Sequence, residues 1–182
     1  MNLEKRTIYC RDNIDVLLAI DTETVDMIYL DPPFNKNKSF TASLGSTDSG
    51  ASFKDIFYRE DYKEEWKEEF KTSHRELYDF LSTMPFYAKD SDVACIAYMA
   101  KRVIECHRIL KPTESFFYHC DDTMQHDIKV MLDIIFGREH LINEINWRRY
   151  QSKSLKTNRF SRISDAILYY QKSKSSVPIL CF

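Results

Sequence analysis

Glycine is scarce in this chain: Gly45, Gly50 and Gly137 are the only three, and no two are separated by a single residue. These residues therefore contain no Gly-x-Gly turn, the kind in which bare backbone approaches a ligand closely. Cysteine pairs at metal or redox spacing are also missing. The five cysteines, Cys10, Cys95, Cys106, Cys120 and Cys181, are odd in number and include no Cys-x-x-Cys. That argues against a disulfide frame and for reduced thiols in a soluble, cytoplasmic protein. Long apolar runs are absent: no stretch approaches a membrane span, and MNLEKRTIYC holds no apolar signal core. Neither sign of charge dominates. The net charge of -2 gives no global basic footprint, so contact with nucleic acid would need a local patch.

What is present suits one globular unit. Of 182 residues, 43% are hydrophobic and 30% charged, enough for a sizeable core and too apolar for disorder. No repeat or linker divides the chain. Thr7–Cys10 reads as a short strand, Asn13–Ile20 as a helix capped by Asp12 or Asn13, and Asp26–Leu30 as a strand covered on both faces. Asn35–Lys54 reads as loop and Asp55–Leu81 as a charged helix. Ser91–Leu110 has helical spacing of apolar residues, a cap at Ser91 or Asp92, and a stop at Pro112. Ser115–Cys120 is a predicted strand. A helix through Ile128, Leu132 and Ile135 follows, capped by Asp121 or Asp122 and ended by Gly137. Ile142–Trp147 and Ala166–Tyr170 are predicted strands. Buried strands alternating with helices predict an α/β sheet.

The informative stretch is VDMIYLDPPFNKNKSF, from Val25 to Phe40. An apolar strand stops at Asp31, and Pro32, Pro33 and Phe34 follow. Ligands of open α/β sheets sit beyond the carboxyl ends of strands, where Asp31 lies. Proline fixes its own backbone, restricts the residue before it and carries no N–H. The tetrapeptide thus offers hydrogen-bond acceptors only, the Asp31 carboxylate and nearby carbonyls, beside an aromatic ring. Such a site suits a planar ring bearing an NH2 group: the acceptors take the amino hydrogens while the ring stacks on Phe34. This is the logic of chemistry on the exocyclic amine of a flipped base. Orientation and electrostatics would make that amine nucleophilic toward a methyl donor.

DPPF after an apolar strand resembles the catalytic motif of DNA amino-methyltransferases. The aspartate in first place resembles the adenine-N6 class. IYCRDNIDVL, MAKRVIECHRILKPTESFFYHCDD, VMLDIIFGREHLINEINWRR and RFSRISDAILYYQKS resemble the segments around it in bacterial site-specific enzymes of the permuted β-type order, so the likeness covers roughly residues 7–174. The resemblance implies a Rossmann-like sheet, S-adenosylmethionine as methyl donor, double-stranded DNA as substrate, and an associated restriction endonuclease. It places Asp31, Pro32, Pro33 and Phe34 at the target base, and Asp12 together with Asp31 at the cofactor. Glu114 stands where the family usually has glycine, and Ser164 stands before Asp165 where it usually has histidine.

The family also uses a glycine-rich cofactor loop, which in this order comes last. Its sheet runs three-two-one-four-five-seven-six; this chain supplies segments for strands three to seven, with central strands one and two missing. Residues 1–182 are therefore expected to be the N-terminal part of one catalytic domain. The glycine loop would come from a lost C-terminal segment or a second chain. The rival expectations are an inactive fragment that only binds DNA or a partner chain, and methylation of RNA or a protein amide.

A basic loop, residues 147–162, carries Arg148, Arg149, Lys153, Lys156, Arg159 and Arg162 with no acid, interleaved with Trp147, Tyr150 and Phe160. Such a loop is suited to phosphate contacts that position DNA. The cations Arg59, Lys63, Lys67, Lys71 and Arg75 recur every four residues among acids, and read as a solvated face with ion pairs. HCDD, with His126 nearby, lacks a second cluster at ligand spacing, so no metal is expected. Cys106–His107 reads as a helix end rather than a nucleophile pair. Phe57, Tyr58, Phe86 and Tyr87 read as core.

Overall fold

The computed structural model describes residues 6–36, 38–41, 52–149 and 163–173, with backbone alone for 38–41 and 52–54. Its longest element is helix α4, Asp90–Ile109, whose apolar face buries Ile96, Ala97, Ala100 and Val103 completely. Asp92 secures its start by accepting a hydrogen bond from the Lys89 N–H at 3.2 Å. The sequence places that cap at Ser91 or Asp92; Asp92 performs it from inside the first turn, reaching back to the residue before the helix.

Helix α4 packs on a four-stranded sheet. Strand β1 (Val25–Leu30) runs parallel to β4 (Leu110–Cys120). Strand β6 (Ser164–Gln171) runs antiparallel to β4 and to β5 (Leu141–Arg148). The spatial order is β1-β4-β6-β5, which agrees with four-five-seven-six in the family numbering. Thr7–Cys10, expected as a strand, is not one: it pairs with no strand among the described residues, and Ile8 stands 96% exposed. Pro112 lies within β4 rather than ending structure. It is tolerated because the register slips between Val25↔Leu110 and Met27↔Ser115, leaving the intervening residues of β4 out of the ladder.

The two faces of the sheet differ. Phe116, Tyr118 and Cys120 of β4 lie level with Tyr170, Leu168 and Ala166 of β6, and all six are buried in the core. Each fully buried large apolar side chain contributes about 1.5–3 kcal/mol. Helix α5 (Gln125–Phe136) adds Met131, Leu132 and Phe136 to that core. It ends at Gly137, whose φ of 92° lies in the left-handed region that side chains avoid. The other face carries Tyr29, Phe117, Tyr169 and His119, only half covered. There Phe117 stacks on Tyr169 with centroids 4.6 Å apart. Strand β1 is therefore not covered on both faces as its apolar run suggests: Met27 and Tyr29 stand open.

Other departures are local. Within the expected loop Asn35–Lys54, β2 (Lys38–Thr41) and β3 (Ser52–Asp55) pair as an antiparallel ribbon. The expected single helix after Asp55 is two, α2 (Glu64–Ser73) and α3 (Arg75–Thr83), broken at His74, whose φ/ψ of −141°/62° is not helical. The cation stripe is spent on ion pairs: Lys67 with Glu64, Lys71 with Glu68, Arg75 with Asp79. Only Phe57 of the four aromatics read as core is buried. Tyr58, Phe86 and Tyr87 are exposed. No helix among the described residues is long and apolar enough to cross a membrane.

Candidate active site at the carboxyl edge of the sheet

Helix α1, Asn13–Leu18, is too short to persist alone and buries no residue fully. Two arginines of α4, six positions apart, hold its ends. Arg108 donates to the Leu17 and Ile20 carbonyls, at 3.0 Å each, at the C-terminal end. Arg102 holds the other end. Its Nη2 donates to Asp12 Oδ1 at 2.7 Å and its Nε to Asn13 Oδ1 at 2.8 Å. Asp12 is also the N-cap, accepting from the Ile14 N–H at 3.1 Å. Arg102 is 2% exposed, and its guanidinium lies over the Tyr98 ring at 3.2 Å. Partial burial alone would raise the Asp12 carboxyl, but the Ile14 hydrogen bond and the Arg102 charge outweigh it and hold the carboxyl below its ordinary range.

Asp31 follows β1 immediately, at the edge its position in the sequence predicts. Its side chain is 62% exposed. Asn35 closes the segment behind it in the left-handed region (φ 57°), which asparagine tolerates better than most residues. Three hydrogen bonds fasten that turn. Asp55 accepts from the Asn35 N–H at 2.6 Å and the Lys36 N–H at 3.1 Å, and Asp92 accepts from Asn35 Nδ2 at 2.7 Å. The proline pair is thus held at one end by a ladder strand and at the other by the buried Asp55 and the half-buried Asp92. Lys36 reaches back over the Phe34 ring, with Nζ 4.7 Å from its centroid, and pairs with Asp121 at 3.3 Å.

His119, on the half-covered face of β4, stands beside Asp31. Its Nδ1 lies 3.4 Å from Asp31 Oδ1 and 3.4 Å from the Tyr29 hydroxyl; its Nε2 lies 3.2 Å from Asp165 Oδ2. The imidazole also meets the Phe34 ring edge to face, with centroids 5.4 Å apart.

Asp12 and Asp31 share one hollow of about 370 Å³, lined also by Arg11, Pro32, Pro33, Tyr98 and Arg102. Of the basic segment, Arg148 ends β5 and is exposed, so the first two residues of the expected loop, Trp147 and Arg148, belong to a strand. Arg149 is turned inward, with Nε 3.1 Å from Asp165 Oδ1. That ion pair makes it part of the site's frame rather than an open phosphate ligand. Lys153, Lys156, Arg159 and Arg162 lie outside the described residues. The sequence alone passes over Arg102, Tyr98, Asn35 and His119. Arg102 and Tyr98 share one face of α4, the only advance signal for them, and His119 is visible only as part of HCDD.

Comparison with known proteins places the chain among DNA-modifying relatives. The chain is 28% identical over 166 residues to the type III restriction-modification enzyme StyLTI Mod subunit of Salmonella typhimurium, covering 89% of this chain and 23% of that protein. It is 26% identical over 160 residues to the type II methyltransferase M.EcaI of Enterobacter cloacae, covering 88% of this chain and 27% of that protein. The chain thus spans about a quarter of the length of these curated relatives. Residues 25–178, which include Asp31, His119 and Asp165 but not Asp12, match the family described as DNA methylase, and the chain belongs to that family.

Proposed function

We propose that this chain carries the target-base half of an S-adenosylmethionine-dependent DNA adenine-N6 methyltransferase of a restriction-modification system. The observation that carries the reading is Asp31: a mostly exposed carboxylate on a backbone fixed by two prolines, at the mouth of a ligand-sized hollow. Asp31 and a neighbouring carbonyl accept the two amino hydrogens of a flipped adenine. Phe34 stacks on the base with the ring face that Lys36 does not cover.

The lining suits S-adenosylmethionine. Asp12 and Asp31 offer carboxylates to hydroxyl and cationic groups, while Leu30, Pro32 and Met99 offer apolar contact. When bound, that cofactor supplies a methyl group on positively charged sulfur. Arg102 holds the Asp12 carboxylate in place through its Oδ1. The glycine-bearing cofactor loop that this chemistry uses is not among these residues and comes from a further segment or a second chain. Without it, Asp12 and Asp31 alone would give weak affinity, and the present residues would act as a DNA- or partner-binding piece.

The substrate is double-stranded DNA, with Arg148 as a phosphate contact. A restriction endonuclease is the expected companion. The test is transfer of labelled methyl groups from S-adenosylmethionine to unmethylated DNA by the whole protein that contains this chain. Label on adenine N6 that disappears in Asp31→Ala supports the reading. Label on cytosine, or label that survives Asp31→Ala, overturns it.

A further inference from the structure

Asp31 presents a problem for the reading just given. A carboxylate that orients an amine must be held, yet this one is 62% exposed and extends from the last turn of a strand. A freely turning carboxylate would forfeit the advantage of a fixed acceptor. The side chain placed against it is His119, whose Nδ1 also meets the Tyr29 hydroxyl.

His119 is itself firmly held. It is 15% exposed, it belongs to the second strand of the sheet, and its Nε2 meets Asp165, a carboxylate 4% exposed. Asp165 lies two residues before Ile167, the ladder partner of His119, and so on the same face of the sheet. Its second oxygen lies 3.1 Å from Arg149 Nε, an ion pair without a hydrogen bond. From this base the ring presents Nδ1 to Asp31 and its face to the edge of Phe34. One imidazole therefore touches both the amine acceptor and the stacking ring.

We propose that His119, anchored by Asp165, is the positioning residue that fixes Asp31 and Phe34 relative to each other. The inference rests on the methyltransferase reading of Asp31. His119 does not touch the base or the methyl group; it acts through the two residues that do. An orienting partner of this kind resembles the outer groups that hold metal-binding side chains, whose loss costs about 10- to 100-fold.

The two ring nitrogens can be tested separately. Asparagine places its amide nitrogen where Nδ1 stands, and glutamine places its own where Nε2 stands. In the whole protein, His119→Ala is expected to lower kcat for adenine methylation by about 10- to 100-fold, with KM for S-adenosylmethionine and the melting temperature little changed. His119→Asn recovers most of that loss because it still reaches Asp31, and His119→Gln recovers little. A His119→Ala enzyme within about twofold of the parent overturns the inference, as does an asparagine variant no better than the glutamine variant.

The contact itself is read independently from the ring nitrogen resonances of His119 in the parent and in Asp31→Asn. The Nδ1 signal is expected to move more than the Nε2 signal; an unmoved Nδ1 signal overturns the inference even in an active enzyme. A parent protein that transfers no methyl group, but whose Nδ1 signal moves, refutes the enzymatic reading and leaves the His119–Asp31 link standing.

Discussion

Asp12 and Asp31 line the same hollow, and each has a basic side chain behind it, but the two arrangements differ in kind. Behind Asp12 is an arginine, buried, permanently charged and within 2.7 Å. Behind Asp31 is a histidine at 3.4 Å, shared with a second carboxylate and a tyrosine hydroxyl. Asp12 spends the same oxygen on Arg102 and on the Ile14 N–H that starts a helix. Asp31 caps nothing and is mostly open. The difference separates a carboxylate whose main work is to hold the fold from one left available to a ligand. A motif search weights both as acids near a sheet edge; their partners distinguish them.

The comparison breaks most visibly at Asp31. Asp31→Ala should reduce methyl transfer by about 100- to 1000-fold, the loss typical of removing one fixed electrostatic group from a reaction centre. The melting temperature should barely change, because the side chain is exposed. A large fall in melting temperature together with activity would place Asp31 in the same class as Asp12.

Asp12 should show the reverse. Asp12→Ala removes a cap and leaves Arg102 buried with only Asn13 and a carbonyl, a loss of about 2 kcal/mol. Asp12→Asn keeps the cap oxygen and loses only the charge, so denaturant unfolding of the two variants separates those roles. Equal destabilisation would assign the whole effect to the ion pair.

A third basic group sharpens the comparison because burial and neighbouring cations outweigh the one carboxylate, Glu23, that acts on it. Burial, aided by the charges of Lys172 and His140, lowers the His107 imidazole to about 4. Its ring sits edge-on to Phe136, with centroids 4.9 Å apart. The folded state thus resists a proton that the unfolded chain accepts near pH 6.5. The stability this confers is complete above about pH 6.5 and is lost as pH falls toward 4. His107→Gln should flatten that acid side of the melting-temperature profile; an unchanged slope would assign the acid sensitivity to other groups.

The smallest effect is expected from Arg148→Glu. Reversing one exposed charge should weaken DNA binding evenly across sequences and reduce the slope of log affinity against log salt by about one to two. Arg149→Glu should instead disturb Asp165, and so lower methyl transfer more than it lowers affinity. If the two variants behave alike, Arg149 is a phosphate contact after all.

Much of this arrangement is legible in the amino-acid order because some residues have few alternatives. Two prolines after an apolar run can mark only a rigid exit from a strand, and Gly137 ends its helix where the helical spacing stops. Asp12 is both cap and lining, as a short polar acid before a helical run suggests. The failures share a cause: they depend on what lies alongside in space. Thr7–Cys10 has strand composition, but it is not a strand in the fold. The β1 run is apolar enough for two covered faces, yet among the described residues one face is open. Pro112 stays within β4 because a register slip excuses it from the ladder. His119, Asp165 and Arg149 come from separate parts of the chain and meet through antiparallel pairing, which no local pattern announces.

That antiparallel strand has a consequence for modularity. Because β6 runs against its neighbours, β5 ends and β6 begins at one edge of the sheet, the edge where β4 also ends. The Arg149 N–H donates to the Ile163 carbonyl at 2.8 Å, closing a narrow neck there. Material inserted or exchanged between those two residues would be delivered to that edge without altering a rung of the sheet. The architecture thus provides a socket: the ladder holds the frame, and the connection between β5 and β6 can vary beyond one hydrogen-bonded gate.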